Sequence, residues 1–300
     1  EVRRKMELSG LAPEGKSRPV PPGPMTPGPG GHREGFLAAG GLRLRYVEWG
    51  DADAPALVLL HGLGDCARSW DGLAAALSAE YRVVALDHRG HGESQWARPQ
   101  SYSARDFVSD VEALADEVVP GRMVLVGHAE GGCHAITYAA RHGERLAALV
   151  AVESDVEGGS LPLSGLPGLP EVEESGMLEA VVERLRRLQP RASDDALRHQ
   201  ASHLADAAPG GGVLWKGDPK AVERYQGSRP WSELARVDCP TLVVRGRQSD
   251  VLGHETAVRM REALPDARLA EMEGGGHWYH QEEPEAFEAT VRWFLQPTPS

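Results

Sequence analysis

Short apolar runs of strand length recur along this chain with helix-length segments between them, and this alternation most restricts its fold. The runs occupy residues 42–49, 56–61, 81–87, 123–127, 147–153, 241–246 and 268–272. The segments between them include 67–78, 104–118, 131–142 and 255–264. Buried strands alternating with amphipathic helices predict an α/β fold, a doubly wound and mostly parallel sheet covered on both faces. In such a sheet ligands bind beyond the carboxyl ends of the strands, so chemistry is expected just after each run.

Two departures from the alternation set the expected domain organisation. Residues 1–34 hold seven Pro and six Gly. Proline lacks an amide donor and glycine costs backbone entropy, so this stretch should form neither helix nor sheet interior. It is read as an N-terminal arm, packed on its own domain or on a second subunit of a homo-oligomer. Residues 35–154 and 233–300 form the expected core. Residues 155–232 are a helical cap insertion over the strand ends. Within it, 171–188 carries Met177, Leu178, Val181, Val182, Leu185 and Leu188 at helical spacing. A second stripe runs over 193–207, with Ser193 and two following aspartates as its start.

Net charge narrows the partners. With 32 Lys and Arg against 44 Asp and Glu, the formal charge is −12, which argues against a nucleic-acid binder driven by charge. The longest apolar runs are far short of a membrane span. Cys66, Cys133 and Cys239 are too few and scattered for a disulfide framework and lack zinc-site spacing. Three reduced thiols and no charged-then-apolar opening segment fit a cytoplasmic protein.

Four glycine-bearing motifs close successive strands. His61-Gly62-Leu63-Gly64 follows the second run, and Asp87-His88-Arg89-Gly90-His91-Gly92-Glu93-Ser94 the third. Gly127-His128-Ala129-Glu130-Gly131-Gly132 lies between a strand and a helix, and Gly274-Gly275-Gly276-His277 follows the last run. In this order they resemble the motifs of the α/β-hydrolase fold family, over roughly residues 36–297. The glycine pattern around residue 129 is similar to the nucleophile elbow G-x-S-x-G of serine esterases and lactonases, with Ala129 where serine is expected.

The resemblance implies a site. His277 is the loop histidine. Asp250, after the sixth run, is the first choice for the acid that orients it, and Glu153, after the strand that follows the elbow, is the rival. The Leu63 and Glu130 amides are the implied oxyanion donors. The Asp87–Ser94 stretch serves mostly turn geometry. His280 is the main competitor of His277. His128 and His134 read as packing or hydrogen-bonding groups, and His199 and His203 as surface residues. Trp70, Trp215, Trp231 and Trp278 line an apolar pocket or belong to the core. Neither His61 nor His277 has a second histidine two or four residues away, so no metal is expected.

A methyl group cannot attack a carbonyl, so with Ala129 no acyl-enzyme forms. The expected parent is a cofactor-independent serine hydrolase cleaving an ester or lactone of a moderately hydrophobic small molecule, inactivated here by a Ser-to-Ala replacement. Retention of Leu63, Asp250 and His277 favours that over a non-catalytic ligand-binding pseudoenzyme. A carbon–carbon bond hydrolase on the same fold is the alternative reaction. An aspartate nucleophile, as in epoxide hydrolases, is the other chemistry the elbow admits.

Overall fold

The computed structural model describes residues 26–28, 31–158, 178–208 and 212–296. Its strands are β1 (Thr26–Pro27), β2 (Arg33–Ala39), β3 (Leu42–Trp49), β4 (Ala56–Leu60), β5 (Arg82–Leu86), β6 (Met123–His128), β7 (Leu146–Val152), β8 (Ala205–Ala207), β9 (Val213–Trp215), β10 (Thr241–Gly246) and β11 (Ala267–Met272). Its helices are α1 (Asp71–Leu77), α2 (Ala104–Glu117), α3 (Glu130–Ala139), α4 (Leu178–Leu188), α5 (Asp194–Leu204), α6 (Pro219–Glu223), α7 (His254–Ala263), α8 (Tyr279–Glu282) and α9 (Pro284–Leu295).

Nine strands make one sheet in the order β1-β2-β3-β5-β4-β6-β7-β10-β11. The pairs from β5 through β11 are parallel, while β1, β2 and β3 add an antiparallel edge. Strand order reverses between β4 and β6, the switch point where an open α/β sheet leaves a crevice.

The central strands are apolar throughout because helices cover both their faces. Along β4, Val58 and Leu60 point to one cluster with α2, α3 and α7, and Leu57 and Leu59 to another with α1 and α9. This period of two is the pleat itself. At the start of α2, Ser103 and Asp106 form a reciprocal capping box that satisfies two orphan amides.

Several expectations shift by local chemistry. β2 begins at Arg33, inside the expected arm, and Thr26–Pro27 pairs with it as an edge strand, where a proline is tolerated. Residues 1–25, 29 and 30 lie outside the described residues. The 67–78 segment opens as a 3-10 turn, Ala67–Trp70, before α1. The 193–207 stripe is helical only to Leu204, after which Ala205–Ala207 pairs with β9 as a small hairpin. Ser193 caps α5 by accepting from the Ala196 amide. Met177 and residues 159–176 lie outside the described residues.

Helices α4 and α5 pack on each other through Val181, Val182, Leu185, Leu197, Ala201 and Leu204, and Cys66 of the core joins that cluster. The Gln200 amide reaches down to Asp65 at 2.9 Å. No helix among the described residues is long and apolar enough to cross a membrane.

Candidate active site

Strand β6 ends at His128 and α3 starts at Glu130, so the chain must reverse within one residue. That residue is Ala129, at φ 50° and ψ −121°. Among the described residues only two non-glycine positions have a positive φ, Ala129 and Glu153 (φ 53°). Such backbone costs roughly 1–3 kcal/mol at each position and persists only where the surroundings impose it. At Ala129 the amide is tied to the Val152 carbonyl at 2.8 Å, and at Glu153 to the Val244 carbonyl at 2.9 Å.

Glycines let the elbow sit close to its neighbours. A Cβ at Gly131 would lie 2.4 Å from the His61 carbonyl oxygen, and one at Gly62 would lie 3.2 Å from the Ala129 Cβ. The first contact is with backbone that cannot swing aside. Gly131→Ala is therefore expected to destabilise the protein by about 3 kcal/mol, as overpacking does. A denaturation midpoint equal to that of the parent would show the loop yielding instead.

The structure brings Glu153, not Asp250, to His277. The Nδ1 of His277 lies 3.4 Å from Glu153 Oε2. Glu153 is fully buried, and its carboxylate accepts from the Gly246 amide at 2.6 Å and from the Ser249 hydroxyl. Asp250 is exposed and makes no hydrogen bond or ion pair among the described residues. The expectation for Asp250 is thus corrected. The turn after β10 offers Ser249 inward, to hold the acid supplied by β7, and turns its neighbour Asp250 to solvent. Ser249 and the Gly246 amide are parts of the site that the sequence reading missed.

His277 is otherwise held by its own backbone. His128 Nε2 donates to the His277 carbonyl at 2.9 Å, and the two rings are 4.7 Å apart. His280 packs 4.5 Å from Trp70 with its Nε2 on Gln281, and it has no hydrogen bond or ion pair to a carboxylate among the described residues. Of the four tryptophans, Trp278 shares a cluster with Leu63 beside the elbow, whereas Trp70 is core. Trp231 packs against the core under Arg259, and Trp215 lies against Arg184 in the β8–β9 hairpin.

Leu63 and Glu130 flank the elbow in different ways. Leu63 lies in a loop, buried, and its amide has no acceptor among the described residues. Glu130 is the first residue of α3, whose amide has no intrahelical partner and adds the positive end of the helix dipole. The Glu130 side chain was not anticipated. Its carboxyl accepts from Tyr225 Oη at 2.8 Å and from the Ser228 amide, and Tyr225 also meets His134 Nε2 at 2.7 Å. Burial pushes this carboxyl up to about 7, against those two bonds. It is therefore largely uncharged below neutrality, which spares the nearby amides a competing anion.

The Asp87–Ser94 loop is structural. Asp87 is fully buried and accepts from Arg45, Ala67 and Glu93, while Arg89 forms a two-pronged pair with Asp110 at 2.6 Å.

Around these elements lie six fully buried histidines. Burial pushes His61, His134 and His280 down to about 3, and His88, His91 and His128 downward as well. The folded state keeps them neutral, so stability is lost as pH falls from about 6.5 toward 3 and the unfolded chain takes up protons. Three buried carboxyls act oppositely. Asp65 and Asp110 are raised to about 6 and Glu130 to about 7, chiefly by burial, so the folded state protonates them first. The six histidines outnumber the three carboxyls, so below about pH 6 the unfolded chain binds more protons than the folded one and stability falls with pH. Melting temperature is expected to fall steeply between pH 6 and pH 5. A flat profile over that range would show that these histidines are charged in the folded protein.

A family model described as alpha/beta hydrolase fold matches residues 55–284. The chain belongs to the α/β-hydrolase fold family. It is 29% identical over 262 residues to a putative carbamate hydrolase RutD of Pseudomonas syringae pv. syringae, covering 83% of this chain and 96% of that one. Epoxide hydrolase A of Mycobacterium tuberculosis is 26% identical over 322 residues, covering 89% of this chain and 98% of the other. Among solved structures, a thioesterase domain from the curacin biosynthetic pathway superposes with a TM-score of 0.76 at 25% identity, covering 87% and 99%. These relatives are hydrolases, and this α/β-hydrolase chain keeps the fold around an elbow residue that bears only a methyl group.

Proposed function

We propose that this chain is the frame of a cofactor-independent serine hydrolase for esters or lactones of moderately hydrophobic small molecules, with Ala129 at the nucleophile position. The observation that carries this reading is the placement of strain. The only two strained non-glycine residues described are the elbow residue and the carboxylate that meets His277. A frame kept merely for packing has no need of strain at both.

With serine at 129, the hydroxyl attacks the substrate carbonyl while His277 takes its proton. Glu153 holds the imidazole in the tautomer that leaves its far nitrogen free to accept. The Leu63 and Glu130 amides stabilise the tetrahedral oxyanion. His277 then returns its proton to the leaving oxygen and activates water for deacylation. With Ala129, substrate binds and no covalent step follows. The segment over 178–229 acts as a cap, since Tyr225 and Ser228 reach the elbow through Glu130. The named activities of a carbamate hydrolase and a thioesterase, which also break a carbonyl–heteroatom bond, favour acyl chemistry over carbon–carbon cleavage.

The test is turnover by the Ala129→Ser chain on aryl esters, aliphatic esters and lactones of increasing ring size. An Ala129→Asp chain assayed on epoxides probes the chemistry of the epoxide hydrolase relative. Hydrolysis by the serine form alone supports the reading. Turnover only by the aspartate form, or by neither, would overturn it.

A further inference from the structure

Away from the elbow, α5 meets the core at three ligand-type side chains. His199 and His203 are one helical turn apart on α5, so their rings share a face and lie 4.7 Å apart. Asp71, the first residue of α1, faces them, with His199 Nε2 at 2.9 Å from its Oδ2. One ligand atom from each of the three lies within 4.8 Å of the other two. A tetrahedral metal with bonds of about 2.0 Å has ligands about 3.3 Å apart, so modest rotation of the imidazoles closes the set.

We propose that Asp71, His199 and His203 form a binding site for a divalent transition metal such as Zn2+, which fastens α5 to α1. Two imidazoles and a carboxylate suit Zn2+ and its neighbours in the series and not Ca2+ or Mg2+, which prefer all-oxygen sets. The fourth position is left to water.

A second observation points the same way. His203 is half-buried against the ring of His199 and has no hydrogen-bond partner among the described residues. Arg68 already holds Asp71, with Nε at 2.8 Å from both carboxylate oxygens. Arg68 Nη2 also lies 2.6 Å from Oδ2, so a metal at that oxygen displaces both His199 and Arg68 from it and leaves Arg68 its contact with Oδ1. That competition lowers affinity without blocking the site.

The Gln200 to Asp65 bond and the packing on Cys66 already hold α5 down, and a metal adds a clasp set by supply. The sequence carries the H-x-x-x-H spacing at 199–203, and α1 places a carboxylate opposite it.

The test uses the full chain, stripped with a chelator and dialysed against Zn2+ at pH 7.5. One equivalent retained per chain is expected, with His199→Gln and His203→Gln each weakening affinity by more than about tenfold. His254→Gln, which removes an exposed histidine beside Glu271, is expected to bind as the parent does. Zn2+ should also raise the melting temperature of the parent and not of His199→Gln, whose exposed side chain can change without loss of fold. No retained metal, or a loss under tenfold in either α5 variant that folds, would overturn the site.

Discussion

Replacing Ala129 with serine is expected to raise kcat on the best ester by about 10⁶-fold over the parent chain. That is the penalty of removing the nucleophile from a serine hydrolase, run in reverse. The backbone cost of the elbow is already borne, because Ala129 holds φ 50° and ψ −121° with a Cβ in place. Adding a hydroxyl should therefore change stability little while supplying the atom that His277 can deprotonate. What activity the parent has must come from the Leu63 and Glu130 amides and from binding alone. A pre-steady-state burst of released alcohol, equal to the enzyme present, should accompany turnover and mark the acyl-enzyme. A gain under about 10²-fold on every ester and lactone would mean that the elbow no longer presents its side chain to substrate.

In that serine-bearing chain, Glu153→Gln is expected to lower kcat by about 10⁴-fold with KM little changed, while Asp250→Asn leaves both alone. The first figure is that for replacing the acid of a triad by its amide, which preserves shape and spoils the histidine tautomer. Glutamine can still accept from the Gly246 amide, so the fold should survive. It cannot both accept from Ser249 and stabilise a positive imidazole as a carboxylate does. Asp250 is in solvent with no partner among the described residues, so its charge is screened and its loss is silent. Loss of turnover in Asp250→Asn with Glu153→Gln unaffected would restore the assignment that the motif order first suggested.

That reversal marks where sequence reading stops. The strand starts and ends were legible because both faces of the sheet are buried, which leaves runs such as Leu57–Leu60 with no polar interruption. The glycine motifs were legible because only a missing side chain permits the approach of Gly131 to His61 and of Gly62 to Ala129. β2 was not, since Gly35, Ala38 and Ala39 give this half-buried strand next to the sheet edge too little apolar bulk to stand out.

The choice of acid could not be made from order along the chain. Glu153 and Asp250 each follow a strand whose end faces the same crevice, so linear spacing fits both. What separates them is which way a side chain turns at its loop, and the tertiary structure decided it by drawing Ser249 and the Gly246 amide around Glu153. Glu130, Tyr225 and His134 met in the same way, from parts of the chain far apart in sequence. So did Asp71 with His199 and His203. Strand and helix periodicity and the turn preferences of glycine act over a few neighbours along the chain and are therefore written in the sequence. Charge pairing and ligand geometry depend on distances through space, which exist only once the loops have folded over the strand ends.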